Sequence, residues 1–247
     1  MMNTIFAHRS IRKFKPTQIE QFKVKKMVAA ASRGSSTGNM QMYSIIISTD
    51  RDIIEKLSPC HFNQPCVKSS PMVVTFCADI NRFNHWCKLS NAEAGYDNFG
   101  WFVSSAIDTT IAAQNFALEA EHLGLGICYL GTTTYNAKEI IDVLELPKGV
   151  VPITTLVVGY ADESPERVDR LPLDGVVHYQ KYTDYTDEKI VEIWSEKEAL
   201  EEMKQFVKDN GVENLAQVFT EKRYKKADNE FFSEKYFNLV KEWFFRD

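Results

Sequence analysis

Basic side chains and a hydroxyl are concentrated near the start of the chain, in His8-Arg9-Ser10-Ile11-Arg12, which we call the basic segment. Guanidinium groups match the geometry of phosphate oxygens, and a serine hydroxyl adds a neutral donor. The segment therefore predicts a phosphate clamp. Its composition alone favours a simpler alternative, a basic strand edge in solvent, and the other segments must decide between the two.

A second candidate is the stretch Ser35-Ser36-Thr37-Gly38-Asn39 with Gln41 close behind, which we call the small polar loop. Small residues allow a backbone to approach a ligand closely. The Asn and Gln amides offer both donors and acceptors to the edge of a heterocycle. Taken alone, this composition is more typical of a flexible turn than of a binding site.

Two further candidates follow predicted strands. The stretch 124–132 (GLGICYLGT) places glycine at both ends of a short strand, where backbone N–H groups can face a planar ligand. Packing glycines and a helix C-cap are the alternative. It is not a dinucleotide-binding fingerprint, because it precedes a strand instead of opening a helix. Gly159-Tyr160-Ala161 ends another strand, with Arg167 and Arg170 beyond it as surface charges by default.

The elements that must position these residues can be read from hydrophobic spacing. Helices are predicted at 18–31 and 104–122, the latter stopped by Gly124, with strands at 43–49, 72–78, 126–130 and 150–160. Asn136 and Glu139 have capping-box spacing for a helix to Leu146. Strand and helix do not alternate strictly, so the fold class predicted is α+β, a sheet with helices packed on it.

The remaining segments are less regular. Residues 81–102 are aromatic and polar without a clear period. Beyond Asp162 the chain is polar and turn-rich. It then forms two amphipathic helices, one capped by Ser195 with Glu198 and reaching Asn210, the other spanning 233–245. These helices carry enough apolar surface to require docking on the core or on a partner subunit.

Composition excludes several classes of protein. A net charge of −5 and a pI near 5.6 argue against a nucleic-acid-binding surface. No apolar run is long enough for a transmembrane helix, and the N-terminus does not resemble a signal peptide. Five cysteines without a C-x-x-C pair make a disulfide framework or a zinc site a poor interpretation, so no metal is expected and the cytoplasm is the expected compartment.

The four candidate segments occur in the order and spacing typical of the nitroreductase superfamily. The chain resembles the flavin reductase branch with a long C-terminal extension, over residues 3–182. The resemblance implies a central, mostly antiparallel sheet flanked by helices. It also implies an FMN-binding domain at 1–182 and a helical extension at 183–247 that packs on the core or on the partner subunit.

The resemblance implies a role for each segment. The basic segment would bind the FMN phosphate and ribityl groups, and the small polar loop would approach the flavin from the partner subunit. The family has a glutamine that contacts the ribityl chain or the pyrimidine edge, and its position aligns near Ser69 in this chain. Backbone N–H groups after the third strand would face flavin N5. Arg170 takes a family arginine position, whereas Val168 replaces a lysine for which Arg167 would compensate. The implied cofactor-binding residues are His8, Arg9, Ser10, Arg12, Ser36, Thr37, Gly38, Asn39, Ser69, Tyr129, Leu130, Gly131, Thr132, Arg167 and Arg170.

The implied activity is an FMN-dependent NAD(P)H oxidoreductase, a homodimer with FMN at the subunit interface. NADPH or NADH would reduce FMN and leave before a small planar acceptor binds, and no side-chain acid or base is required. The aromatic stretch 83–102 would form a lid over the acceptor, or else a packed dimer contact. Lys222–Lys226 favours NADPH weakly. The alternatives are a specialised reductive flavoenzyme, a flavin-binding protein without turnover, and a scaffold without flavin. The side chains proposed to sandwich the acceptor are Trp86, Tyr96, Phe99 and Trp101.

Overall fold

A four-stranded sheet lies at the centre of the computed structural model, which describes residues 2–245. Its strands are β1 (Tyr43–Ser48), β2 (Met72–Asp79), β3 (Gly126–Leu130) and β4 (Val150–Gly159). They are ordered β1-β2-β4-β3, and every neighbouring pair is antiparallel. The predicted α+β class, its antiparallel sheet and all four predicted strands are confirmed.

Along the chain, helices precede the first strand, connect the strands and follow the last one. Short 3₁₀ turns at Thr37–Asn39 and Leu173–Gly175 and a π-helical turn at Val218–Arg223 complete the regular structure. In chain order, the helices are α1 (Met2–Ala7), α2 (Gln21–Ala31), α3 (Arg51–Cys60), α4 (Pro65–Ser69), α5 (Asn81–Leu89), α6 (Phe99–His122), α7 (Ala137–Leu144), α8 (Asp187–Ala199), α9 (Glu201–Asp209), α10 (Leu215–Gln217) and α11 (Lys226–Trp243).

The alternation of side chains along β2 builds a core on each face of the sheet. On one face, Val74 and Phe76 pack against α6, where Phe116 meets the Phe76 ring edge-on at 5.5 Å between centroids. The buried residues of α6 beside Phe116 are mainly alanines, which let this helix lie close to the strands. On the other face, Val73 packs with residues of α3 and α7, including Leu57 and Ile140.

Several helix boundaries differ from the sequence prediction because side-chain caps lie where periodicity is weak. Helix α6 begins at Phe99, ahead of the predicted start, because the Asn98 carboxamide oxygen accepts from the Trp101 N–H at 3.2 Å. Helix α3 was not predicted; the Asp50 carboxylate caps it by accepting from the N–H groups of Asp52 and Ile53 at 2.8 and 3.2 Å. Helix α5 forms within the stretch that lacked a clear period.

Neither predicted capping box forms, although α7 begins directly after Asn136 as its spacing predicted. The Asn136 side chain does not cap α7; its Nδ2 donates to the Cys60 carbonyl at 2.9 Å, so it ties α7 to α3. Ser195 lies inside α8, where its hydroxyl donates to the Glu192 carbonyl at 2.7 Å. The N-cap of α8 is Thr186, and the extended backbone of Leu200 separates α8 from α9. The Ser195 spacing was matched by chance, because a side-chain cap depends on backbone geometry that spacing does not fix.

The chain divides into two compact units, residues 2–166 with 232–245, and Arg167–Phe231. In the first unit, the end of α11 contributes Val240 and Phe244 to a buried cluster with Met42. In the second, Ile193 lies against Gly175, and Lys197 pairs with Asp169 at 2.8 Å. A domain boundary at residue 182 stays a prediction. Within 2–245, no helix combines the length and apolar character needed to cross a membrane.

Candidate functional site

The basic segment lies along the outer edge of β3. Ser10 forms a parallel bridge with Ile127, and the Ile11 N–H donates to the Ile127 carbonyl at 2.9 Å. The Ile11 side chain is buried over Gly126, where an added Cβ would lie 2.7 Å from Ile11 Cγ1. Absence of a side chain at Gly126 therefore allows the segment to approach the strand.

The charged side chains of the basic segment have different surroundings. His8 Nδ1 lies 2.6 Å from Glu121 Oε1 on α6. Arg9 donates to the Pro165 carbonyl at 3.0 Å and, less closely, to the Ser164 hydroxyl. Arg12 is exposed, and within the described residues its guanidinium donates no hydrogen bond. Arg12 is thus the cation of the segment that is most available to an anion.

Glu163 lies directly behind Arg12. Its Oε1 accepts from the backbone N–H groups of Arg12 and Lys13 at 2.5 and 3.1 Å. These contacts fix the backbone at the end of the basic segment, and the Arg12 side chain takes no part in them. The Cys128 thiol lies beneath, where burial raises its pKa and the nearby Arg12 charge opposes that rise.

The end of β3 and the turn that follows it carry neutral groups. Tyr129 is half-buried, its hydroxyl hydrogen-bonds Gln114 at 3.3 Å, and burial raises its pKa. Leu130 is buried and ends the strand. Gly131 is exposed, with no atom within 4 Å of the position that a Cβ would take. The backbone at this turn is therefore open to a flat ligand.

Thr132 is part of a partly buried polar cluster that the sequence analysis did not identify. Its hydroxyl lies 3.0 Å from His61 Nδ1 and accepts from Gln64 Nε2 at 3.3 Å. His61 is fully buried, its Nε2 has no partner within the described residues, and burial lowers its pKa to about 4. A lone histidine in a polar stretch gives no signal, because only the fold brings α3 to the end of β3.

Ser69 does not join this cluster. It lies exposed at the end of α4, and its hydroxyl bonds weakly to the Cys66 carbonyl of its own helix at 3.5 Å. Gln64, immediately before the same helix, is the amide that contacts Thr132. The geometry therefore favours Gln64 over Ser69 as the glutamine-type ligand of this site.

The small polar loop is tied to the middle of α6 by Asp108. The Asp108 carboxylate accepts from the Ser36 hydroxyl at 2.8 Å and from the Thr37 N–H at 3.0 Å. Gly38 and Asn39 follow with left-handed φ of 58° and 55°, and both are exposed. No hydrogen bond or ion pair within residues 2–245 joins this loop to the basic segment, so one chain presents two separate groups of candidate residues.

Arg167 and Arg170 belong to the second compact unit. Both are exposed, and Arg170 donates to the carbonyls of Val168 and Asp169 at 3.2 and 2.8 Å. These local contacts hold the Arg170 guanidinium against its own backbone. The role that the resemblance assigns to the two arginines stays a prediction.

The aromatic stretch divides into packed and exposed rings. Tyr96 meets both Phe83 and Trp101 edge-on, with centroids 5.0 and 4.7 Å apart, so these rings stabilise the stretch itself. Trp86 and Phe99 remain 60% and 61% exposed. Tyr96 and Trp101 are partly buried, so Trp86 and Phe99 present the larger exposed ring area. The role of the four rings over a planar acceptor stays a prediction.

The polar groups along β3 and at the turn after it fit a phosphorylated, planar cofactor such as FMN. An exposed guanidinium at Arg12 suits a phosphate, and the open position at Gly131 suits a flat ring. The hydroxyl of Ser10 and the amide of Gln64 add neutral groups for a polar chain. The residues present thus match the chemistry of the group that the sequence pattern implies.

Comparisons with known proteins identify relatives of this chain. The chain is similar to the FMN reductase (NADPH) of Bacillus subtilis (strain 168), with 33% identity over 189 residues, 76% of each protein. It is 34% identical over 189 residues to the oxygen-insensitive NADPH nitroreductase of Salmonella typhimurium, covering 76% of this chain and 77% of that one. A crystal structure from Bacteroides fragilis NCTC 9343 superposes over 100% of both chains with a TM-score of 0.97 and 48% identity.

A family model gives the same assignment over the part of the chain that holds both groups of residues. The match extends over residues 5–160, which include the basic segment, the small polar loop, Asp108 and the turn after β3. More than half of the chain is covered. The chain belongs to the nitroreductase family.

Proposed function

We propose that this chain is an FMN-dependent NAD(P)H oxidoreductase that transfers reducing equivalents to a small planar acceptor. At the coarser level it is an enzyme of the nitroreductase family, an NAD(P)H flavin oxidoreductase. The observation that carries the finer proposal is the edge of β3. There Ile11 packs over Gly126 and pairs with Ile127, the Arg12 guanidinium is exposed, and the turn after the strand is open at Gly131.

The proposal assigns the polar groups at this edge to different parts of the cofactor. Arg12 and Ser10 bind the phosphate, while Gln64 and Thr132 contact the polar chain or the ring edge. FMN, when bound, supplies two-electron hydride chemistry that no side chain offers. The protein binds and orients the cofactor and places N–H dipoles near it, which favours negative charge on the ring. Arg9 stabilises the clamp through its contact with Pro165.

We propose a symmetric homodimer that brings the small polar loop of one subunit to the β3 edge of the other. Support comes from α6, where Phe99, Val103 and Ile107 are spaced by four residues and stay 61%, 39% and 54% exposed. Such a stripe on a long helix is typical of a surface that another copy covers. The small polar loop is anchored to the same helix at Asp108, so pairing along α6 carries the loop to the partner.

The donor and acceptor are proposed from the relatives and from the exposed surface. Both relatives carry NADPH in their names, and the basic run Lys222–Lys226 offers charge for a 2′-phosphate. Trp86, which lies outside the α6 stripe, provides exposed aromatic area for a planar acceptor such as a quinone, a flavin or a nitroaromatic.

The decisive experiment is stopped-flow mixing of FMN-loaded protein with NADH or NADPH under anaerobic conditions. We expect bleaching of the flavin absorbance, faster with NADPH, followed by reoxidation on addition of a quinone or nitroaromatic. Retained FMN without bleaching by either nucleotide would support a flavin-binding protein without turnover. Failure of the protein to bind FMN would refute the proposal.

The dimer is tested by measuring the molar mass in solution. We expect twice the chain mass for the wild type and a shift to monomer in Ile107→Lys, because a charge in the stripe is costly to bury. The matched control is Ile190→Lys, a similarly exposed isoleucine outside α6. A wild-type monomer at high concentration contradicts the proposed assembly.

A further inference from the structure

Asp108 is a buried carboxylate with an unusual concentration of donors around it. Only 3% of this residue is exposed, although it lies in the middle of α6. Its two oxygens accept from the Ser36 hydroxyl at 2.8 Å, from the Thr37 N–H at 3.0 and 3.2 Å, and from the Thr37 hydroxyl at 3.3 Å. A carboxylate is buried at acceptable cost only when its lone pairs are satisfied in this way.

The contact extends through Ser36 to the far end of the small polar loop. The Ser36 hydroxyl accepts from the Gln41 N–H at 2.7 Å while donating to Asp108. Within this segment, Gly38, Asn39 and Gln41 have left-handed φ values of 58°, 55° and 52°. Residues other than glycine adopt this conformation at a cost, so surrounding contacts must hold it. Asp108 supplies those contacts from one side.

A second anchor fixes the exit of the loop. The Arg82 guanidinium donates to the carbonyls of Gln41 and Tyr43, the latter at 3.2 Å. Asp79 pairs with Arg82 at 3.8 Å. The loop is therefore held at both ends in an isolated chain, while Gly38 and Asn39, between the anchors, stay exposed.

The helix that carries Asp108 also carries the apolar stripe. Ile107, the neighbouring residue, is 54% exposed in that stripe. One short stretch of α6 thus contacts the loop through a buried carboxylate and presents an apolar side chain to a second copy. Because α6 is a continuous helix of 24 residues packed on the sheet, it links the small polar loop rigidly to the apolar stripe.

We infer that Asp108 is a positioning residue that pre-organises the small polar loop for contact with the flavin of the partner subunit. The inference deepens the proposed function and rests on it. The carboxylate touches neither cofactor nor substrate. It acts by fixing the Thr37 N–H and, through Ser36, the Gln41 N–H, so that the exposed loop does not lose conformational entropy when FMN binds.

The test compares wild type with Asp108→Asn. An asparagine keeps the shape but replaces one acceptor by an NH₂ donor, which faces the Ser36 or Thr37 donors. We expect FMN affinity, measured by fluorescence titration, to fall at least about tenfold, the ratio for loss of one hydrogen bond to a charged group. In FMN-free protein, hydrogen exchange at the Thr37 and Gln41 amides should accelerate about tenfold as well.

Two further variants separate positioning from general stability. Thr109→Val removes a buried α6 hydroxyl that bonds only to the Ser105 carbonyl within the described residues, so FMN affinity and loop exchange should not change. Ser36→Ala keeps the carboxylate but removes the hydroxyl that connects it to the Gln41 N–H. It should accelerate exchange at Gln41 more than at Thr37, and it provides the test if Asp108→Asn does not fold.

The outcomes distinguish this inference from the proposed function. If wild type binds FMN and Asp108→Asn binds it equally well with unchanged exchange in the loop, the positioning role is wrong and the function stands. If wild type does not bind FMN, the proposed function fails and the flavin part of the inference fails with it. If Thr109→Val weakens binding as much as Asp108→Asn, the effect is one of stability and the inference is wrong.

Discussion

The basic segment and the small polar loop are both positioned by residues distant in sequence, but by different physical means. The basic segment is held by backbone pairing to β3 and by close packing of Ile11 on Gly126, which leaves the Arg12 guanidinium without a hydrogen bond among the described residues. The small polar loop is held by the buried carboxylate of Asp108, and its own polar groups are the donors to that carboxylate.

The difference shows two ways to prepare a binding group before its ligand arrives. A segment fixed through its backbone can keep its charged side chain free, and that suits recognition of a phosphate by a long, adaptable guanidinium. A loop fixed through its side chains offers its exposed backbone and small groups instead. That arrangement suits close approach to a ring, because less conformational entropy is lost on binding.

Gly126→Ala should break the first arrangement and have the largest effect. The new Cβ would lie 2.7 Å from Ile11 Cγ1, and the bond from Ile11 to Ile127 prevents a simple retreat. We expect the free energy of unfolding, measured in urea, to fall by about 1–3 kcal/mol. FMN affinity should fall by about 100-fold, an estimate based on loss of the phosphate contact.

Gly95→Ala is the matched control, because no atom lies within 4 Å of its Cβ position. It should leave both quantities unchanged. If Gly126→Ala leaves FMN affinity intact, close packing on β3 does not place the clamp.

Arg12→Ala and Arg9→Ala sharpen the comparison within the basic segment. We expect Arg12→Ala to keep the fold but to lower FMN affinity by about 10–100-fold, which is the effect of losing one hydrogen bond to a charged group. Arg9 already donates to the Pro165 carbonyl, so Arg9→Ala should weaken FMN binding by a smaller factor. Fluorescence titration measures both variants, and the reverse order would identify Arg9 as the principal phosphate ligand.

The smallest expected effect concerns pH and the turn after β3. Burial lowers the pKa of His61 from its ordinary 6.5 to about 4, so the folded protein favours the neutral ring. His61 therefore stabilises the fold above pH 6.5, and this contribution is lost as the pH falls towards 4. Between about pH 7 and about pH 5.5 the loss should be about 1 kcal/mol in the free energy of unfolding.

His61→Gln removes the titrating group, so its stability should fall less over the same pH interval. The exposed His85 provides the control variant His85→Gln, which removes an imidazole without affecting the buried cluster. A pH dependence in His61→Gln equal to that of wild type would contradict the assignment. The effect belongs to the β3 side of the molecule, so the protection factor of the Thr37 amide, which is corrected for the intrinsic pH dependence of exchange, should be the same in His61→Gln and wild type.

Spacing of apolar residues predicted the sheet and the central helix because these elements are long and buried. All four strands and α6 are regular enough for their periodicity to appear in the sequence. Helix α3 was missed because its Asp50 cap and amphipathic face occupy only ten residues. Asn136 precedes α7 as predicted but does not cap it with its side chain, and Ser195 lies inside α8, because a matching spacing does not determine which backbone N–H groups a side chain reaches.

The candidate residues divide in the same way. The order of the basic segment, the small polar loop and the glycine-flanked strand predicted the family, because these segments carry their chemistry in consecutive residues. His61, Gln64 and Asp108 were missed, since each acts on a residue far along the chain, such as Thr132 or Thr37. Gln64 is the clearest case: the family resemblance placed an amide contact near Ser69, whereas in the fold the amide that contacts Thr132 is that of Gln64.

The sequence by itself determined which chemistry is present: an arginine-rich clamp, a small polar loop, a glycine-flanked strand and an α+β core to carry them. Only the tertiary structure decided which of these groups is free to act. Arg12 is available whereas Arg9 is engaged, and the loop is fixed by Asp108 instead of being a flexible turn. The physical reason is that hydrogen-bond satisfaction and burial depend on contacts between distant segments, which composition and spacing do not encode.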